Sequence, residues 1–321
     1  MDLTESRVLV TPTSYGKYNR DLKTTLENQV GEVIYNTTGK PLSSSQVAAL
    51  LPKVDGYIAG LDHIDKRALQ SADSLKIIAR YGVGIDRVDL AAASEKGIIV
   101  SNTPGANAIS VAELALGLIL TLARQTPTAQ KALRKGDWLR MPGVTIQGKT
   151  IGIIGLGAIG KQLVKRLSAF DCHIIAHEPY PNTTFADQYH IDLVDLSMLI
   201  TNSDFISLHV PVLPETRGMV NDSFIAAMKE GAFLINTSRG EILDETALIN
   251  GLESGHIRGA ALDAFEKEPP NQDNPLLSFD QVICTPHLGA QTDGSTNNMG
   301  YMALNECIRV LQGESPKYQV N

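Results

Sequence analysis

Four short stretches of this chain hold residue types that chemistry needs. Gly155, Gly157 and Gly160 form a GxGxxG pattern within "TIGIIGLGAIGKQL". "NTSRGEILDE" carries Arg239, "ALDAFEKEPP" carries Asp263 and Glu268, and "CTPHLGA" carries His287. The glycine pattern is weak alone and gains meaning from its setting. A β-forming run precedes it, and a plausible helix from Ile159 to Phe170 follows. In that setting the first glycine permits a tight turn and the second lets backbone N–H groups approach a pyrophosphate. The third lets helix and sheet pack closely. The helix start, with Ala158 and Ile159 in it, adds free donors and a partial positive charge for an anion. Glu178 ends the next strand run, "AHEPY", with Pro179 after it. An acidic side chain at that spacing accepts hydrogen bonds from an adenosine ribose and repels a 2′-phosphate, and neither Arg nor Lys follows through residue 190. These features read as a dinucleotide cradle, with NAD as the cofactor. A nicotinamide cofactor implies hydride transfer, which needs an acid/base group and a cation for the substrate's polar end. Arg239, Asp263, Glu268 and His287 all come just after strand-like runs, where open α/β sheets bind their ligands.

The elements that must position these residues are α/β in pattern. "RVLVTP", "EVIYN", "GYIAG", "LKIIARYG" and "GIIVSN" read as buried strands, with helices near 19–30, 43–51, 65–71 and 89–97. Short Val- and Ile-rich runs separated by helices indicate a parallel sheet covered on both faces. Pro104 and Gly105 break the chain, and a long helix follows, with Ser110 and Glu113 as an expected capping box. A second alternation starts at Thr150: "TIGIIG", "CHIIAHE", "FISLHVP", "AFLINTS", "IRGAALDAF" and "VICTPH", with helices near 159–170, 195–202, 222–229 and 244–255. Six parallel strands fit a complete dinucleotide-binding domain. A last helix near 293–312 is expected to return to the first domain. The fold class is therefore α/β, with two doubly wound parallel sheets. Residues 1–101, completed by 287–321, are expected as the substrate domain, and 102–286 as the NAD domain.

The bulk numbers agree. A chain of 321 residues, 43% hydrophobic and 20% charged, is long enough for two globular domains. A net charge of -7 argues against a general nucleic-acid binder. No secretory signal or membrane span is expected, because the longest apolar stretch, 111–123, contains Glu113 and is too short. Cys172, Cys284 and Cys307 are far apart and lack metal-ligand spacing, so neither a metal site nor a disulfide frame is expected, and the compartment expected is cytoplasmic.

The chain resembles the D-isomer-specific 2-hydroxyacid dehydrogenase family and, within it, the D-3-phosphoglycerate dehydrogenases. The resemblance rests on "RYGVGIDRVDL", "NTPGANAISVAE", "GKTIGIIGLGAIGK", "SDFISLHVPVLPETRGMV", "GAFLINTSRGEILDETAL" and "GAALDAFEKEPP…NPLL…VICTPHLGA", in that order over nearly the whole chain. It implies that Arg239 binds the substrate carboxylate and carbonyl, that Glu268 pairs with His287, and that His287 donates and accepts the proton. A carboxylate beside an imidazole stabilises imidazolium and fixes the ring tautomer. Arg suits a carboxylate because its planar fork donates two parallel bonds. The resemblance also implies that Asp263, Thr237, Ser238 and Gly289 lie at the nicotinamide end. The loop of His209, Val210 and Pro211, continuing to Thr216, would line the cofactor. Backbone N–H groups of Val83 and Gly84 would meet the substrate carboxylate, and the apolar helix 111–123 with the loop through Trp138 and Arg140 would form a homodimer.

Two positions depart from the phosphoglycerate pattern. Where many such enzymes carry an Arg-Ser pair after the strand matching "GYIAG", this chain has Gly60 and Leu61, then Asp62 and His63. Arg87 stands where Asn is common. Arg80, Arg87, His63, or Arg134, Lys135 and Arg140 from a partner subunit are the remaining candidates for a phosphate. The expected activity is oxidation of 3-phosphoglycerate, or its reverse. Alternatives are reduction of hydroxypyruvate or glyoxylate and, in another class, an NAD-sensing corepressor.

Overall fold

The computed structural model describes residues 3–321, which form two compact units: 3–107 with 290–321, and 108–289. The divisions fall at Asn107 and Gly289, a few residues after the expected crossings at Ser101 and Pro286.

The first unit is a five-stranded parallel sheet in the order β2-β1-β3-β4-β5. Its strands are β1 (Arg7–Val10), β2 (Glu32–Tyr35), β3 (Gly56–Ala59), β4 (Ile77–Arg80) and β5 (Ile99–Ser101). β3 and β4 are buried at every position, which is why their sequences run apolar rather than alternating. The helix Asp293–Leu311 belongs to this unit and fills one face. Its Met299, Ala303, Leu304 and Cys307 pack with Val8, Leu22 and Ile58. Burial of Met299 and Leu304 contributes about 1.5–3 kcal/mol each, which holds the returning helix in place.

The second unit is a seven-stranded parallel sheet, β12-β11-β10-β9-β6-β7-β8. It comprises β6 (Thr150–Ile154), β7 (His173–His177), β8 (Asp192–Leu193), β9 (Phe205–Leu208), β10 (Ala232–Asn236), β11 (Ile257–Leu262) and β12 (Val282–Cys284). The order reverses between β6 and β9, so the carboxyl ends of those strands flank the ligand crevice expected of such sheets. The two-residue β8 is one strand more than the pattern predicted; both its residues are exposed, so it carries no apolar signature.

The long apolar helix runs Ala108–Arg124. The expected capping box is not there, because Ser110 and Glu113 both lie inside the helix; Glu113 instead pairs with Arg166 at 2.7 Å. Val111, Ala115, Leu118, Ile119 and Leu122 are buried, while Ile109 is 52% exposed. The sheet and the helix Ala158–Leu167 thus cover more of this helix than its composition suggested. Among the described residues no single helix is long and apolar enough to cross a membrane.

Candidate active site

The glycine turn follows β6. Gly155 has φ +95°, and a Cβ there would stand 2.6 Å from the His209 carbonyl oxygen. Only glycine permits this turn, which brings the ends of β6 and β9 together. Gly157 precedes the helix Ala158–Leu167, with nothing within 4 Å of where its Cβ would be. The outer side of the turn is open, and the first helical N–H groups, from Ala158, Ile159 and Gly160, face no earlier turn. Glu178 is tied to this turn: Oε2 accepts from Leu156 N–H at 2.9 Å and Oε1 from Tyr180 N–H at 3.2 Å. Pro179, between them, is exposed.

Across the reversal lies the loop after β9. His209 Nε2 is 2.9 Å from the Ser207 hydroxyl, while Nδ1 is buried without a protein partner. Burial pushes this imidazole down to about 4, so the ring is neutral at ordinary pH. Val210 and Pro211 follow, and Thr216 closes the turn by donating to Pro211 O at 2.6 Å and accepting from Leu213 N–H at 2.8 Å. The Thr237 hydroxyl, after β10, is likewise buried without a partner. A glycine turn with an open outer side, a carboxylate fixed beside it and two buried orphan polar atoms along the same strand ends all fit a dinucleotide.

Arg239 sits just beyond β10. Asn236 shapes its turn: Oδ1 accepts from Ser238 N–H at 3.0 Å and Ser238 Oγ at 2.8 Å, and Nδ2 donates to Arg239 O at 2.8 Å. The next residue, Gly240, has backbone against backbone; a Cβ there would lie 1.9 Å from Phe265 C. The Arg239 turn therefore rests directly on the loop that carries Glu268. Neither Asn236 nor Gly240 stood out in the sequence as a site residue. The local signal was the Asn–Thr–Ser run, since Asn side chains cap the backbone two residues on.

The remaining groups converge. His287 Nδ1 is 2.9 Å from Glu268 Oε1, with the two side chains 28% and 21% exposed. Glu268 Oε1 also accepts from Phe265 N–H at 3.3 Å, fixing the carboxylate. His287 is held at φ +52°, an uncommon conformation for a side-chain-bearing residue. Asp263, expected at the nicotinamide end, is only 2% exposed and anchors the His287 loop. Its Oδ1 accepts from Thr285 Oγ1 at 2.5 Å and Leu288 N–H at 2.7 Å, and Oδ2 from Gly289 N–H at 2.9 Å. A buried carboxylate with three charge-assisted bonds can hold the strained loop.

In the first unit, Val83 and Gly84 follow β4. Val83 is 39% exposed, and neither N–H donates to a protein acceptor among the described residues. Arg80, a candidate phosphate cation, is 3% exposed and turned inward: Nη1 donates to Ala59 O at 2.7 Å and to Gly60 O, and Nε to Gly84 O at 3.1 Å. Three carbonyls take its Nε and Nη1 donors, so the guanidinium is buried against the backbone at the strand ends and not displayed on the surface. His63 is exposed and lies 3.6 Å from Asp65. Trp138, at 77%, and Leu139, at 60%, are exposed in the basic loop with Arg134, Lys135 and Arg140.

The family model described as D-isomer specific 2-hydroxyacid dehydrogenase, NAD binding domain, matches residues 116–289. A D-3-phosphoglycerate dehydrogenase of Methanocaldococcus jannaschii is 46% identical over 261 residues, 80% of this chain and 50% of that protein. The chain thus spans about half the length of several curated relatives it matches. A hydroxypyruvate reductase of Thermotoga maritima is 39% identical over 306 residues, 92% of this chain and 99% of that one. Among solved structures, the pyruvate reductase of Chlamydomonas reinhardtii superposes with a TM-score of 0.86 at 28% identity, covering 98% of this chain and 99% of the other.

Proposed function

Because this chain belongs to the D-isomer specific 2-hydroxyacid dehydrogenase family, whose members are NAD-dependent oxidoreductases, we propose that it interconverts a short D-2-hydroxy acid and its 2-keto acid with His287 as the proton carrier. The observation that carries this reading is the 2.9 Å contact of His287 Nδ1 with Glu268 in a loop held by Asp263. With Nδ1–H donated to the carboxylate, Nε2 is the atom left to hold the mobile proton. In reduction, Nε2 gives that proton to the carbonyl oxygen as it becomes a hydroxyl; in oxidation it takes the proton back. Glu268 stabilises the imidazolium form and keeps the ring aimed. Arg239 grips the substrate carboxylate and polarises the carbonyl; in the first unit, Val83 and Gly84 offer amides of the kind a carboxylate oxygen accepts from.

NAD, when bound, supplies or accepts the hydride at the substrate carbon. The turn from Gly155 to Gly160 would hold its pyrophosphate and Glu178 with Pro179 its ribose. The loop 209–216 and the ends of β10 and β11 would hold the nicotinamide half. The names of the relatives favour a three-carbon acid, 3-phosphoglycerate or its phosphate-free counterpart. The exposed Ile109, Leu133, Trp138 and Leu139 support a homodimer through this stretch.

The test is NADH consumption by the purified chain on phosphohydroxypyruvate, hydroxypyruvate, glyoxylate and pyruvate, repeated with Arg239→Lys. Turnover of one or more acids is expected, with KM in the variant raised by roughly 10–100-fold for loss of the bidentate clamp. Failure of all four acids, or an unaltered KM in the variant, contradicts the reading.

A further inference from the structure

Glu268 aims the His287 ring, yet the segment that carries Glu268 has little structure of its own. From Glu266 to Asn274 it belongs to no helix or strand, and most of its side chains are exposed. The bonds it makes within itself are local: Asn274 N–H to Asn271 O at 3.1 Å and Lys267 Nζ to Asn271 Oδ1 at 2.8 Å. Such a loop keeps a side chain on aim only when a rigid neighbour ties it down.

Glu245 is that neighbour. It opens the helix Glu245–Glu253, whose start is set by Asp244 accepting from Thr246 N–H at 2.9 Å and Ala247 N–H at 3.3 Å. The helix buries Ala247, Leu248, Gly251 and Leu252, so its first residue stands on a fixed base. A carboxylate in a first turn ordinarily serves the positive end of its own helix. Here both oxygens reach into the loop instead. Oε1 accepts from Glu266 N–H at 3.2 Å and Oε2 from Asn274 Nδ2 at 2.7 Å, on either side of Glu268. Asn274 Oδ1 in turn accepts from Leu276 N–H at 3.0 Å, and Leu276 is fully buried. The same carboxylate stands near Cys284 at the end of β12, where burial and then the Glu245 charge push the thiol up to about 11. Glu245 thus lies at the base of both segments whose tips meet as Glu268 and His287.

We infer that Glu245 is a positioning residue for proton transfer, which acts by bridging Glu266 and Asn274 so that the loop between them holds Glu268 on His287. The inference rests on the dehydrogenase reading above. The test is steady-state reduction of the preferred 2-keto acid by wild type, Glu245→Gln, Asn274→Asp and the double variant, with NADH affinity measured by fluorescence in each. Glu245→Gln sets an amide donor against the Asn274 donor, and Asn274→Asp sets carboxylate against carboxylate. The double variant restores a donor facing an acceptor, with the roles exchanged. Each single change should lower kcat about 10–100-fold, with the KM for the acid and NADH affinity within about twofold of wild type. The two changes alter net charge in opposite directions, so a common loss separates position from charge. The double variant should recover to within about threefold of wild type, and in a Glu268→Gln background Glu245→Gln should cost less than about twofold more. Wild-type kcat in the folded single variants overturns the inference, as does a loss in KM alone, a double variant as poor as either single, or a full further loss on top of Glu268→Gln. If Glu245→Gln does not fold, Asn274→Asp breaks the same bridge and decides the matter in the same way. Absence of turnover by the wild type on every 2-keto acid would instead bring down the dehydrogenase reading, and this inference with it.

Discussion

His209 should make this protein acid-sensitive within a defined window. Its ring is neutral in the folded chain because burial pushes it from 6.5 to about 4, and Nδ1 finds no protein partner. In the unfolded chain the ring protonates near its ordinary value. Between those limits the unfolded state binds a proton that the folded state does not, so stability falls as pH drops. The contribution is fully present above 6.5 and is lost progressively as pH falls towards 4. At pH 5.0 the linkage amounts to about 2 kcal/mol, and nearly nothing at pH 7.5. Partial exposure of the residue makes that an upper figure. The assay is urea unfolding of wild type and His209→Gln at both pH values, without cofactor. Glutamine can still meet the Ser207 hydroxyl but cannot titrate. The wild type should lose about 1–2 kcal/mol more than the variant between pH 7.5 and 5.0, with all other titrating groups cancelling in the comparison. Equal losses in the two proteins would show that the His209 ring is not held neutral, and the account of this loop would fail.

Other predictions follow from the same geometry. Gly240→Ala forces a Cβ into the Phe265 backbone, so the second unit should lose about 3 kcal/mol or more in thermal or urea unfolding. The shift of Arg239 against the Glu268 loop should cost roughly 100-fold in kcat/KM; near-normal values of both would mean the two loops are not packed as described. Glu178, fixed beside the glycine turn, should give NADH at least about 100-fold higher kcat/KM than NADPH, from the like charge facing a 2′-phosphate. Comparable rates with both cofactors would detach Glu178 from the ribose.

Much of the scaffold was legible because parallel strands buried on both faces have to be short Val- and Ile-rich runs. β3, β4 and β10 are such runs, and the expected helices at 195–202 and 293–312 correspond to Leu196–Asn202 and Asp293–Leu311. The glycine turn was legible because its chemistry is local: strand, turn and helix follow one another within a few residues. What could not be read depends on where a side chain points across long separations. Arg80 looked like a displayed cation, yet it ends a fully buried strand and turns to carbonyls twenty residues away. Asp263 holds a loop more than twenty residues further on, a contact that no spacing rule announces. β8 escaped notice because two exposed residues at a sheet edge leave no periodic trace. Ser110 and Glu113 had the spacing of a cap, but the helix begins at Ala108, so a surface ion pair took the glutamate instead.

The central claim is that His287, aimed by Glu268, moves the proton. Its most direct test is single-turnover oxidation of bound NADH by the preferred 2-keto acid in wild type and His287→Ala, with NADH affinity measured in parallel. The rate in the variant should be roughly 10²–10⁴-fold lower, with NADH affinity changed by less than about threefold. A His287→Ala protein that binds NADH and turns over at close to the wild-type rate would contradict that claim.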